Sequence, residues 1–139
     1  MALDPGVYVI RSAVNGEAAG VNGLIRIAFQ RIEVTPRGNL TGAEWEVSPE
    51  DDDGRVRLSI QDVYPYVRVR DGEVMASIAR PEGAWTIQPA SGDRFRIRVD
   101  GQDLCWTAPE GGKGPVTVAP ESHAIAQLWT FTLSEQPAP

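Results

Sequence analysis

Three tryptophans stand in near-matching frames: Ala43-Glu-Trp45-Glu-Val47, Gly83-Ala-Trp85-Thr-Ile87 and Gln127-Leu-Trp129-Thr-Phe131. They lie 40 and 44 residues apart, and each closes a block that opens with an alternating strand. The openers are Val7-Tyr-Val-Ile10, Val56-Arg-Leu-Ser-Ile60 and Phe95-Arg-Ile-Arg-Val99. A fixed period near 40 residues marks a chain built from one repeated supersecondary unit. Blade-type propellers share the period but need more than three copies to close. Three units of about four short strands each fit an all-β chain, a β-trefoil in which a closed barrel is capped by hairpins. The expected boundaries are one domain over 1–139, with repeats at about 5–50, 54–91 and 92–135.

The punctuation agrees with many short strands. Eleven Pro and fourteen Gly occur at short intervals, as tight turns require. Asn15-Gly16, Asp71-Gly72 and Asp100-Gly101 are hairpin dipeptides whose residues tolerate the positive φ of type I′ turns. The expected strands are 6–12, 17–21, 29–35 and 43–48, then 55–61, 64–70, 73–79 and 83–88, then 94–99, 103–108, 114–119 and 126–133. No segment carries a helical stripe; Ile25, Ile27 and Phe29 alternate as a strand does. The repeat tryptophans should point inward around the pseudo-threefold axis, each burying on the order of 200 Å². Trp106 breaks the pattern because it sits on a second strand, and its sequence allows either a core position or a surface aromatic. Asp51-Asp-Asp-Gly54 reads as a solvated connector between the first two units, and residues 135–139 as a frayed end.

Composition narrows the function classes. At 139 residues a domain of this size buries roughly 68% of its unfolded surface without a staple. The one cysteine, Cys105, excludes an intramolecular disulfide framework. No run reaches the roughly 18 apolar residues of a membrane span, and residues 1–20 hold no signal-peptide core, so no membrane partner and a cytoplasmic location are expected. A net charge of −6 and a pI near 4.7 argue against nucleic acid. Twelve Arg stand against one Lys, Lys113. Arg55, Arg57, Arg68, Arg70, Arg94, Arg96 and Arg98 fall on alternating strand positions, which reads first as the solvated face of half-buried strands.

The residues of an active site are missing. The one histidine, His123, and Cys105 would have to converge with an orienting group to make a nucleophile. One His and one Cys cannot furnish a usual zinc set. Gly111-Gly-Lys-Gly114 lacks the Ser/Thr and the strand–helix setting of a phosphate loop. Asp51–Asp53 has no Glu at the twelfth position of a calcium loop. Asn39-Leu-Thr41 has the form of a glycosylation acceptor and nothing more. The chain is therefore expected to be no enzyme, with no catalytic residue, metal or cofactor. A binding protein remains, working through loops whose ends the barrel fixes. The first unit is the long one: 37 residues separate Tyr8 from Trp45, against 28 from Arg57 to Trp85. The excess falls in 21–27 and 35–42.

Several blocks resemble one family. Pro5-Gly-Val-Tyr-Val-Ile-Arg11, Ala19-Gly-Val-Asn22, Ala43-Glu-Trp45, Cys105-Trp106 and Gln127-Leu-Trp-Thr-Phe131 together resemble mushroom β-trefoil serine-protease inhibitors of the cospin type. The resemblance runs along essentially the whole chain as short blocks. It implies a monomeric, reversible inhibitor whose partner is a trypsin-like serine protease and whose reactive loop joins strands two and three. On this sequence that loop is Asn22, Gly23, Leu24, Ile25 and Arg26, with Asn22 the best-matched position. The family's longer polar stretch and its Lys-Arg pair are replaced here by Asn22-Gly-Leu-Ile-Arg26 and Gln30-Arg31. A neighbouring loop with Arg37 and Gly38 is the second candidate, while Pro81 after Arg80 blocks substrate-like geometry there.

Two other readings share the fold. A ricin-B-like lectin, with glycans as partner, would place Gln-x-Trp in most units, and only Gln127-Leu-Trp129 has it. That lectin would need an exposed Trp106 or Tyr66 beside Asp103 or Asp62. A cysteine-protease inhibitor of the mycocypin kind would instead wedge a glycine-containing loop, such as Asn15-Gly16 or Asn22-Gly23, into a papain-like cleft.

Overall fold

The computed structural model describes residues 4–21, 29–36, 40, 42–49, 55–60, 64–78, 84–90, 92–111 and 113–133. Asn22–Arg26, Arg37–Gly38, Asn39, Asp51–Gly54, Asp62, Arg80–Pro81 and 135–139 lie outside them. Fourteen strands form one connected sheet system. The first unit holds β1 (Gly6–Ser12), β2 (Ala18–Gly20), β3 (Phe29–Arg31), β4 (Glu33–Thr35) and β5 (Trp45–Pro49). The second holds β6 (Arg55–Ile60), β7 (Tyr66–Arg70), β8 (Glu73–Ser77) and β9 (Trp85–Pro89). The third holds β10 (Arg94–Val99), β11 (Cys105–Thr107), β12 (Gly114–Pro115), β13 (Thr117–Ala119) and β14 (Trp129–Leu133).

Six strands close a barrel, in the cyclic order β1, β5, β6, β9, β10, β14 and back to β1, every pair antiparallel. The register shows how the repeat achieves closure. Each repeat tryptophan faces the opener of its own unit, Trp45 opposite Tyr8, Trp85 opposite Val56 and Trp129 opposite Phe95. On its other side each faces the next unit, Trp45 opposite Ile60, Trp85 opposite Val99 and Trp129 opposite Ser12. The third unit thus hands back to the first. Closure leaves the barrel without an unpaired edge.

Hairpins β2–β4, β7–β8 and β11–β13 cap the barrel. At the centre of the cap three valine-or-isoleucine backbones bond head to tail. Ile32 donates to Val74 O (3.0 Å), Val74 to Val116 O (2.9 Å) and Val116 to Ile32 O (2.8 Å). All three are fully buried. The chain is a β-trefoil, and this ring of amides lies on its pseudo-threefold axis.

The core follows the tryptophans inward. Trp45, Trp85 and Trp129 are 0%, 4% and 0% exposed. Each indole Nε1–H donates to the second strand of its own unit, at Ala19 O (2.9 Å), Val67 O (3.0 Å) and Trp106 O (3.2 Å). Trp106 therefore occupies the position held by Ala19 and Val67 in the other units. Its ring fills the space that those smaller side chains leave, meeting Trp45, Trp85 and Trp129 edge to face at centroid distances of 5.5, 5.8 and 5.7 Å. Of the two readings open in the sequence, the core one holds: Trp106 is fully buried. Its own Nε1 is buried without an acceptor.

Several expected strands are divided. The stretch 29–35 is two strands interrupted at Ile32, and 114–119 is two interrupted at Val116, because those residues leave their ladders to join the axial ring. At 126–133 a 3₁₀ turn over Ile125–Gln127 precedes β14. Of the three hairpin dipeptides, Asp71-Gly72 has positive φ at both residues (53° and 79°), as a type I′ turn requires. At Asn15-Gly16 and Asp100-Gly101 the glycine alone is left-handed. There Asn15 Oδ1 accepts from Glu17 N (3.0 Å), an Asx-type closure in place of type I′ geometry.

Candidate functional site

The long first unit supplies two loops, and the described residues show what holds their bases. Strand β2 and the following Val21 are wholly buried. Strand β4 pairs them from one side, Thr35 opposite Ala18, Val34 opposite Ala19 and Glu33 opposite Gly20. From beneath, the Trp45 indole bonds Ala19 O. Segment 22–28 follows Val21 in the chain, and segment 37–41 precedes Gly42.

These two residues are joined. Val21 N donates to Gly42 O (2.8 Å) and Gly42 N to Val21 O (3.3 Å), an isolated two-bond bridge. The close approach needs glycine: a Cβ on Gly20 would stand 2.1 Å from Gly42 O. Leu40 and Ala43 then pack with Ala18 and Val9 in a small second core, which ties the Gly42 side to the barrel wall. The residue before segment 22–28 and the residue after segment 37–41 are thus clamped to each other. At its far end the first loop re-enters at Phe29, opposite Ser77 of β8. Asn22, Gly23, Leu24, Ile25 and Arg26, and likewise Arg37 and Gly38, belong to the segments this clamp carries and lie outside the described residues.

The features that a sugar site would use are occupied internally. Gln127, in the one complete Gln-x-Trp frame, is 2% exposed. Its Oε1 accepts from Ser122 N (2.7 Å), and its Nε2 donates to Pro120 O (2.9 Å) and, more loosely, to Thr107 Oγ1 (3.3 Å). The glutamine pins the 119–124 connection against β11 and draws 125–127 into its 3₁₀ turn. Asp103 is likewise engaged, accepting from Arg98 Nη2 (2.9 Å) and Glu121 N (3.1 Å). Trp106 offers no face to solvent, which removes it as a stacking platform. Tyr66 is half-buried beneath the Arg57 guanidinium, 5.8 Å from its ring centroid.

Cys105 and His123 do not form a reactive pair. Cys105 is fully buried, and burial, reinforced by Glu121 and Asp103 against the opposing pull of Arg98 and Arg96, raises its thiol pKa above the ordinary 9.0. A buried thiol held protonated is inert. His123 lies exposed in its loop. Among the described residues no group of three His, Cys, Asp or Glu side chains is placed to hold a metal, and no helix is long and apolar enough to cross a membrane.

No protein-family model matches the chain, and no curated protein matches it. Solved structures do. A designed three-fold symmetric protein, ThreeFoil, is 13% identical with a TM-score of 0.78, over 91% of this chain and 98% of that one. A Macrolepiota procera ricin B-like lectin, solved with lactose, is 18% identical with a TM-score of 0.75, over 96% of this chain and all of that one. These two speak to the fold. A proteinase inhibitor from Coprinopsis cinerea is 25% identical with a TM-score of 0.79, over 96% of this chain and 100% of that one, so this β-trefoil is similar to a proteinase inhibitor from end to end.

Proposed function

We propose that the chain is a reversible inhibitor of trypsin-like serine proteases that binds through segment 22–26. The observation that carries this reading is the end-to-end similarity to a proteinase inhibitor at 25% identity. The shared clamp at Val21 and Gly42 supports it physically. A loop whose ends are fixed before association loses little further freedom on binding, so more of its contact energy appears as affinity. A trypsin-like pocket ends in a carboxylate. The Arg26 guanidinium can meet that charge directly, and Asn22 can reach it through bridging water. If the enzyme attacks the Asn22–Gly23 or the Arg26–Ile27 bond, the fixed ends keep the new termini together and the bond re-forms. Arg37–Gly38, on the neighbouring loop, is the second such bond.

Titrating trypsin with Asn22→Ala, Arg26→Ala and Arg37→Ala variants tests the assignment. The residue that enters the pocket should lose at least tenfold in inhibition constant while unfolding within about 0.5 kcal/mol of the parent, as surface changes do. Equal inhibition by the parent and all three variants would place the contact elsewhere. Lectins share this fold, but the burial of Trp106 removes one of the two aromatics on which a ricin-type sugar site would have been built here, and the other, Tyr66, lies against Arg57.

A further inference from the structure

The arginines of the second unit are organised in a way that their spacing along the chain does not reveal. Across β7, β8 and β3 the register aligns Tyr66, Ser77 and Phe29 in one row, and Arg68, Met75 and Arg31 in the next. Arg68 and Arg70 both stand over the Phe29 ring, at 5.5 and 4.5 Å from its centroid. Arg57, from barrel strand β6, stands 5.8 Å from the centroid of Tyr66. A row of aromatic surface therefore lies beside a row of guanidinium groups backed by that surface. The ion pair on this face is Arg31 Nε to Glu73 Oε2, 2.7 Å. Among the described residues Arg57, Arg68 and Arg70 have no carboxylate partner, and the Nε atoms of Arg57 and Arg68 are buried without an acceptor. Two cations held over one ring and left unneutralised repel each other, and a bridging anion relieves that repulsion.

We propose that Arg57, Arg68, Arg70 and Arg31, with Tyr66 and Phe29 between them, bind a polysaccharide that carries sulfate or carboxylate groups. The chemistry of the face selects this occupant. Guanidinium forks match oxyanions in two-point hydrogen bonds, and stacking on an aromatic face pre-orders the fork. The sheet surface suits an extended ligand with several anionic groups. Tyr66 and Phe29 lie against the arginines and hold the forks in place, so a chain that repeats sulfate or carboxylate groups at sugar spacing meets a row of forks already set. The whole chain carries −6, so attraction is confined to this face within about a Debye length. The residues of the face are not those of segment 22–26, and its binding does not require protease inhibition.

Calorimetric titration of the full chain with dextran sulfate tests the proposal, with neutral dextran, polyglutamate and sodium sulfate as the other probes. The parent should bind dextran sulfate, with affinity falling as salt rises, and should bind neutral dextran undetectably. Arg68→Gln/Arg70→Gln should weaken binding at least tenfold. Arg94→Gln/Arg96→Gln, on barrel strand β10, should change it less than twofold. Thermal unfolding of both variants confirms that each is folded. Failure of the parent to bind, or equal losses in the two double variants, overturns the site. Polyglutamate bound as tightly as dextran sulfate overturns the polysaccharide in favour of an acidic protein segment, and sulfate ion bound as tightly reduces it to a small-anion site.

Discussion

Trp106 shows most clearly what a single residue contributes. It stands where the other units place Ala19 and Val67, and its ring touches all three repeat tryptophans. Trp106→Ala should therefore cost about 3–5 kcal/mol in denaturant unfolding, since a buried indole leaves a large void. Trp106→Phe should cost distinctly less, because it keeps much of the volume and removes a buried donor that has no acceptor. Equal losses would mean that the indole N–H is satisfied after all. Gly20 acts by absence: Gly20→Ala drives a Cβ into Gly42 O and should cost about 1–3 kcal/mol as overpacking does. Under the proposed function it should also weaken protease inhibition, because segment 22–28 starts from the clamped Val21. Two buried acids make stability depend on pH in the alkaline range. Burial raises the Cys105 thiol above its ordinary 9.0, and burial with the nearby Asp4 raises Tyr8 above its ordinary 10.0. In each case the unfolded chain gives up its proton first. Their contribution is thus complete below about pH 9 and falls as pH rises further. Unfolding midpoints measured from pH 7 to 11 should fall only in the upper part of that range. Native Cys105 should resist alkylation at pH 7.5 and react once the chain is unfolded.

At the scale of elements, the sequence is legible where periodicity is local. The alternation in Val56–Ile60 and Phe95–Val99 predicts strands because inward and outward positions differ in polarity, and β6 and β10 lie there. The interruptions at Ile32 and Val116 were not legible. Both residues read as ordinary apolar strand positions, and only the meeting of three units at the axis turns them out of their ladders. The same holds for the turns. The type I′ reading suits Asp71-Gly72, yet Asn15 and Asp100 keep negative φ, because flanking hydrogen bonds close those turns differently. Gln127 illustrates a motif residue whose part in the fold the sequence left open. Its place before Trp129 suggests a sugar site, whereas it is spent on the 119–122 connection. Gln127→Leu should leave Ser122 N and Pro120 O without their partner, costing about 1–3 kcal/mol, and should raise amide exchange across 119–128 first. Protection unchanged in that segment would show that the glutamine does not hold it.

For the molecule as a whole, threefold repetition was the strongest signal, because it is written three times over and each copy checks the others. The cyclic register of Trp45, Trp85 and Trp129 against successive units is its physical meaning. The function we propose is written once, in the unit that departs from the repeat. Extra length before Trp45 sets the first unit apart, but length carries no chemistry, and the role we propose for 22–26 rests on the similarity to a proteinase inhibitor. Ala19-Gly-Val-Asn22 was legible only as one block of the family resemblance. Its pairing with Gly42 across the intervening residues was not, since nothing local encodes that contact. The arginine face likewise needed the register of three strands to bring Arg31 and Phe29 beside Arg68 and Arg70.

The central claim, inhibition of a serine protease, is reached most directly by one titration. Residual activity of trypsin, chymotrypsin and papain is followed against purified protein from nanomolar to micromolar concentration. The account predicts tight, reversible inhibition of trypsin with papain untouched. Inhibition of papain alone would move the chain to the cysteine-protease inhibitors of the same fold, and full activity of all three enzymes would contradict the inhibitor reading itself.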